Sequence, residues 1–190
     1  MLTKYWIKFL SILAFIRISK YPPFIYYDKN TFTITGTDID KIQKAIIPGD
    51  LILRGFDDFI GSQLIGYYSH IGIILDNKTV IHAIETGIDK IHIYDFCKTD
   101  RIKILRAKNI FEIDINKVLN KAKSKIGTPY DFIFDFDNEQ NFSCTEFVAY
   151  CFKHIIDIPK DTISILGIIK KEVIRPMSFL NNKNFVEIEV

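Results

Sequence analysis

Ser69-His70-Ile71-Gly72-Ile73-Ile74-Leu75-Asp76-Asn77-Lys78-Thr79-Val80-Ile81-His82-Ala83-Ile84 holds two β-branched runs, His70 to Leu75 and Thr79 to Ile84, on either side of the polar triplet Asp76-Asn77-Lys78. That pattern predicts an antiparallel hairpin. A three-residue turn over Leu75, Asp76 and Asn77 sets position 70 directly opposite position 82. Opposed residues share one face of a sheet, so the two imidazoles become neighbours. Upstream, Asp50 to Arg54 reads as another strand after Pro48-Gly49, which ends a short helix over Asp38 to Ile46. Downstream, Ile88 to Tyr94 and Arg101 to Arg106 continue the strand pattern, so an antiparallel sheet is expected.

Helices follow the sheet. Ile115, Val118, Leu119, Ala122 and Ile126 fall on one helical face, with Asp114 as N-cap and Gly127 as the stop. Phe147, Val148, Cys151, Phe152 and Ile155 form a second stripe, preceded by the capping box Ser143-x-x-Glu146. That helix starts at Ser143 and carries Cys144 in its first turn. The tail offers an apolar segment from Ile163 to Ile169, a turn begun by Pro176 and a last strand from Phe185 to Val190. The expected class is α+β, an antiparallel sheet packed on helices with Cys144 at a helix N-terminus.

Ahead of this domain, residues 1–22 form an arm, and residues 23–190 the domain proper. Leu2, Trp6, Phe9, Leu10 and Leu13 recur at helical spacing with Lys4 and Lys8 between them, which predicts an amphipathic helix docked on the domain or on a membrane surface. The longest uncharged run there, Phe9 to Ile16, is far short of the roughly 18 residues a transmembrane helix needs. No Ala-x-Ala pattern follows, so a cleaved signal peptide is poorly supported. The sequence leaves the compartment open between the cytoplasm and association with the cell envelope.

Apolar residues make up 48% and charged residues 25% of the 190, which is ordinary globular composition and argues against disorder. A net charge of +2 gives no reason to expect a nucleic-acid partner. Three cysteines, Cys97, Cys144 and Cys151, are too few for a disulfide framework, and no Cys/His quartet suggests zinc, so neither metal nor cofactor is expected.

Chemistry concentrates on three residues. At the first turn of a helix Cys144 meets unpaired backbone N–H groups and the positive end of the macrodipole, both of which favour a thiolate. His70 and His82 offer a base and a partner for it. Glu85, three residues after His82, points to the other face of a regular strand and is the weaker third member. Cys151 lies on the apolar stripe and reads as core. Cys97 sits in the Tyr94 to Asp100 loop without a visible partner, and His92 and His154 read as structural.

Five blocks carry a resemblance: Pro48-Gly49-Asp50-Leu51, Ser69-His70-Ile71-Gly72-Ile73, Val80-Ile81-His82-Ala83, Gly127-Thr128-Pro129-Tyr130-Asp131 and Ser143-Cys144-Thr145-Glu146-Phe147-Val148. They resemble the signature blocks of NlpC-type papain-like cysteine hydrolases. In ordinary members the Gly-x-Pro-Tyr and cysteine-helix blocks come first; here they come last. This order resembles the circularly permuted branch, the YaeF/YiiX-like bacterial proteins with their poxvirus relatives, and more distantly the lecithin:retinol acyltransferase group.

The resemblance implies a permuted papain-like fold with Cys144 as nucleophile, His70 as general base, His82 as its orienting partner and Tyr130 beside the cysteine at the substrate. Permuted relatives often carry an acid where His82 stands. A neutral His82 can orient the base but cannot stabilise an imidazolium as a carboxylate would. The expected substrate is a peptide or cell-wall-type amide, with Asp57, Asp58 and Asp131 as polar contacts for its ends. The alternative is a lipid ester or thioester, bound through the loop Phe56 to Tyr68 and the arm carrying Trp6.

Overall fold

A computed structural model describes residues 16–20, 23–27, 32–56, 67–109, 114–132, 139–165 and 169–190. The amphipathic stripe from Leu2 to Leu13, together with Asp57 and Asp58, lies outside these residues. Strands β1 (Ile16–Lys20) and β2 (Pro23–Tyr27) pair as an antiparallel hairpin in which Lys20 faces Pro23.

The body begins with helix α1 (Gly36–Ala45). Thr35 caps it in a reciprocal box with Asp38. Strands β3 (Leu51–Gly55), β4 (His70–Ile74), β5 (Thr79–Ile84) and β6 (Gly87–His92) follow. The strand expected to run on to Tyr94 stops at His92, because the His92 Nδ1 accepts the Tyr94 N–H and starts the one-turn helix α2 (Ile93–Phe96). Next come β7 (Arg101–Ala107), α3 (Ile115–Ser124), α4 (Cys144–Phe152), the hairpin β8 (Asp161–Ile165) and β9 (Ile169–Val173), α5 (Pro176–Leu180) and β10 (Phe185–Ile188).

One six-stranded antiparallel sheet, ordered β10-β7-β3-β4-β5-β6, organises these elements. Both of its faces are covered. Leu51, Leu53, Ile71, Ile73, Ile81 and Leu105 pack against Val118, Phe147, Val148 and Cys151 of α3 and α4. Ile52, Ile74, Val80 and Ile104, which alternate with the first set, pack against Ile39 and Ile42 of α1 and Ile93 and Phe96 of α2. Continuous apolar runs such as Leu51-Ile52-Leu53 follow from that double burial.

The turn before β3 is held by charge. Arg106 Nε and Nη2 lie 2.8 and 2.7 Å from the two carboxylate oxygens of the fully buried Asp50, and the Ile47 N–H donates to Asp50 Oδ2 at 2.9 Å. Gly49 takes a φ of +92°, and a Cβ there would fall 2.2 Å from Ile115 Cδ1. The Pro-Gly-Asp block is therefore explained by backbone geometry and one ion pair. Among the described residues no helix is long and apolar enough to cross a membrane.

Candidate active site

His70 opens β4 and His82 lies inside β5, but the register differs from the sequence expectation. Gly72 pairs with His82, Ile73 with Ile81 and Ile74 with Val80. The Leu75 N–H bonds to Thr79 O at 2.9 Å, so the turn comprises Asp76, Asn77 and Lys78 instead of Leu75 to Asn77. Asp76 causes the shift: its Oδ1 accepts the Lys78 N–H at 2.8 Å and closes the turn locally. His82 is thus diagonal to His70. The offset is two residues, an even number, so both rings stay on one face.

Gly72 occupies the position between them and has no side chain to fill it. A Cβ there would stand 3.3 Å from His82 Cβ and 2.6 Å from Val80 Cγ1. Through this gap His70 Nε2 and His82 Nδ1 come within 2.9 Å. Both rings lean on Phe96, with centroids 5.7 and 5.6 Å away. Burial, and then the Arg54 guanidinium, push His82 down to about 4. The same two causes, followed by His82 itself, hold His70 well below the ordinary imidazole value. Both rings are neutral at pH 7, so one can donate its N–H to the bare nitrogen of the other.

Cys144 is the first residue of α4. The Ser143 N–H donates to Glu146 Oε2 at 2.7 Å, and the Glu146 N–H to Ser143 Oγ at 3.4 Å, completing the expected capping box. The sulfur is faced by the backbone N–H groups of Ile71 and Thr145, and Arg54 lies within electrostatic range. All three favour the thiolate, yet burial outweighs them and pushes the thiol up to about 11. The expected pull of the helix start toward the thiolate is present, but burial opposes it. A residue only 7% exposed loses more anion solvation than those dipoles restore.

Strand alternation turns the His70 ring to the Ile74 side of β4, whereas α4 packs on the Ile71 and Ile73 side. Cys144 approaches β4 at Ile71, the residue after His70, through the Ile71 backbone N–H. Among the described residues no hydrogen bond joins the thiol to the imidazole. Unliganded catalytic contacts are commonly long and tighten only with substrate.

Tyr130 reaches the nucleophile through an isolated bridge to Phe142, reinforced by a 3.1 Å bond from the Phe142 N–H to Pro129 O. Its hydroxyl meets the Cys144 backbone N–H, and burial raises its pKa. Asp131 beside it is fully buried. Glu85 is exposed in the turn between β5 and β6. The carboxylate opposite His82 across that hairpin is Asp89, which draws the His82 pKa upward against the burial effect. Cys151 is fully buried on the apolar stripe of α4. Cys97, expected in a loop, instead ends α2 and is buried in the second core.

Sequence reasoning missed Arg54, Phe96 and Asp89. The seven-residue interval from His82 to Asp89 about the Glu85-Thr86 turn was the one available signal, and only for Asp89. A cavity of about 600 Å³ is lined by Glu146, Tyr150, Lys153 and His154 but not by Cys144 or His70. Among the described residues no three His, Cys, Asp or Glu side chains gather as a metal site requires.

The family model of the permuted papain-like amidase enzymes, YaeF/YiiX, C92 family, matches residues 41–185. The crystal structure of the metalloprotein yiiX from Escherichia coli O157:H7 is similar in fold, with a TM-score of 0.63 at 16% identity over 76% of this chain and 97% of that chain. No curated protein matches the chain.

Proposed function

The chain belongs to the permuted papain-like amidases of the YaeF/YiiX, C92 family, which makes it a thiol hydrolase, and on that premise we propose that Cys144, His70 and His82 cleave a peptide or cell-wall-type amide through an acyl-enzyme. The 2.9 Å contact between His70 Nε2 and His82 Nδ1 carries this reading. With Nε2 occupied as donor to His82, His70 keeps Nδ1 bare, and Nδ1 is then the atom that accepts the thiol proton.

Because the thiol sits at about 11 and the imidazole is neutral, proton transfer accompanies attack instead of preceding it. The Cys144 proton passes to His70 Nδ1 as sulfur bonds to the carbonyl carbon. The developing oxyanion takes the Cys144 backbone N–H, where the Tyr130 hydroxyl now rests and can donate alongside it. The C–N bond then breaks, the amine leaves with the proton from His70, and a thioester remains. Water, deprotonated by His70, attacks the thioester and releases the acid and the thiol.

Purified full-length protein incubated with peptides, cell-wall fragments and a phospholipid ester tests the reading. Amide cleavage abolished by Cys144→Ala is expected. Ester turnover blocked by the same substitution, with every amide intact, would establish the lipid alternative instead.

A further inference from the structure

Arg54 stands directly opposite His70 across β3 and β4, and so shares the face that carries both imidazoles. Its guanidinium carbon lies 4.8 Å from the centroid of Phe96, the ring on which His70 and His82 also lean, and 5.7 Å from that of Phe56. Nη1 donates to Phe96 O at 3.4 Å, the outer limit of a hydrogen bond. Nε is buried and has no hydrogen-bond partner.

Arg106 shows what this chain does with a structural arginine, engaging both oxygens of Asp50. Arg54 makes no ion pair among the described residues, and Glu85, the carboxylate within its electrostatic range, is exposed in a turn. A guanidinium cannot shed its charge at any working pH, and a buried unpaired donor is costly. Folding has thus placed a poorly compensated cation beside the nucleophile and its base. A bound anion would compensate it, and a carboxylate matches the planar guanidinium fork.

We infer that Arg54 is the receptor for a substrate carboxylate lying next to the scissile amide, as in a peptide cleaved at its carboxyl-terminal residue. This rests on the amide reading above. The carboxylate would take up Nε and a terminal nitrogen, which fixes the carbonyl carbon near Cys144 and discriminates against substrates whose carboxylate is blocked.

The test uses full-length protein with an N-acetyl dipeptide and its C-terminal amide, each titrated for its ability to protect Cys144 from iodoacetamide and each assayed for turnover. The free acid should protect better than the amide by about tenfold or more, the advantage of one charge-assisted hydrogen-bond pair. Arg54→Gln should bring that ratio close to one, and Arg54→Lys should leave it in between. Equal protection by the two forms in the unsubstituted protein overturns the inference, as does an undiminished ratio in a folded Arg54→Gln. Should that variant not fold, the unsubstituted ratio and Arg54→Lys decide. Stronger protection by glycerol phosphate than by the free acid would also overturn it, since the site would then be a phosphate receptor. Arg54-dependent protection without any peptide turnover would sink the amide reading and leave the carboxylate receptor standing. Peptide turnover without acid preference would do the reverse.

Discussion

Gly72, and not His70, stands opposite His82 across the ladder between β4 and β5. The missing side chain leaves the space through which His82 Nδ1 reaches His70 Nε2 diagonally. A methyl group at this position must push against Val80 Cγ1 at 2.6 Å and Ile81 O at 3.0 Å. Gly72→Ala should therefore destabilise the protein by about 1–3 kcal/mol and lower turnover beyond what the lost stability explains. Denaturant titration alongside activity at a permissive temperature measures the two effects separately, and an unaltered rate would show that the diagonal contact is not needed.

Cys144→Ala should lower turnover by roughly 10³ or more, while Cys151→Ala should cost at most about 1–2 kcal/mol of stability as a small core truncation. The pH dependence of alkylation checks the thiol itself. With the Cys144 thiol at about 11, its iodoacetamide rate should climb about tenfold per pH unit between roughly pH 7 and 10. A rate that levels off near neutrality would reveal a thiolate–imidazolium pair. Faster modification of Cys97, at about 12, or of Cys151 in the folded protein would reject the nucleophile assignment.

His82→Ala should be less damaging than His70→Ala, because the base remains and only its tautomer and orientation are lost. His82→Glu should retain more activity than His82→Ala, since a carboxylate accepts the same imidazole N–H. The ranking of kcat among the three variants decides this, and a Glu variant no better than Ala would remove the orienting role.

His82 also ties stability to pH. Its folded-state pKa of about 4 lies below the ordinary 6.5, so between those values the unfolded chain binds more protons than the folded one. Stability should rise with pH across that window and be lost as pH falls through it, by on the order of 3 kcal/mol from this group. Comparing denaturant midpoints from pH 4 to 7 for the unsubstituted protein and His82→Gln isolates the contribution. Parallel curves would show that the ring is protonated as readily folded as unfolded.

Asp50→Asn should destabilise the protein by about 2–4 kcal/mol, because Arg106 keeps its charge while losing the bidentate partner. The double variant Asp50→Asn with Arg106→Met should recover part of that loss in the same thermal or denaturant measurement. A neutral single variant would mean that the pair contributes nothing to holding the turn before β3.

Local signals made much of this protein legible in its amino-acid order. The Ser143-x-x-Glu146 box closes over three residues and needs no distant partner, so the start of α4 and the place of Cys144 at its first turn followed from sequence. The strands from Leu51 to Ala107 were readable from β-branched runs, and the order of the five blocks carried the permuted fold. Tertiary structure decided what depends on contacts between strands and on removal from water. The two-residue offset of the histidine hairpin came from the Asp76 side chain bonding its own turn, which no count of intervening residues reveals. Arg54 and Phe96 join the imidazoles only because β3 and α2 fold against the same face, from 16 residues before His70 and 14 after His82. The Cys144 thiol stays protonated for the same kind of reason. The helix start and its N–H groups are local and favour the anion, but the burial that overrules them exists only once α4 has closed on β4.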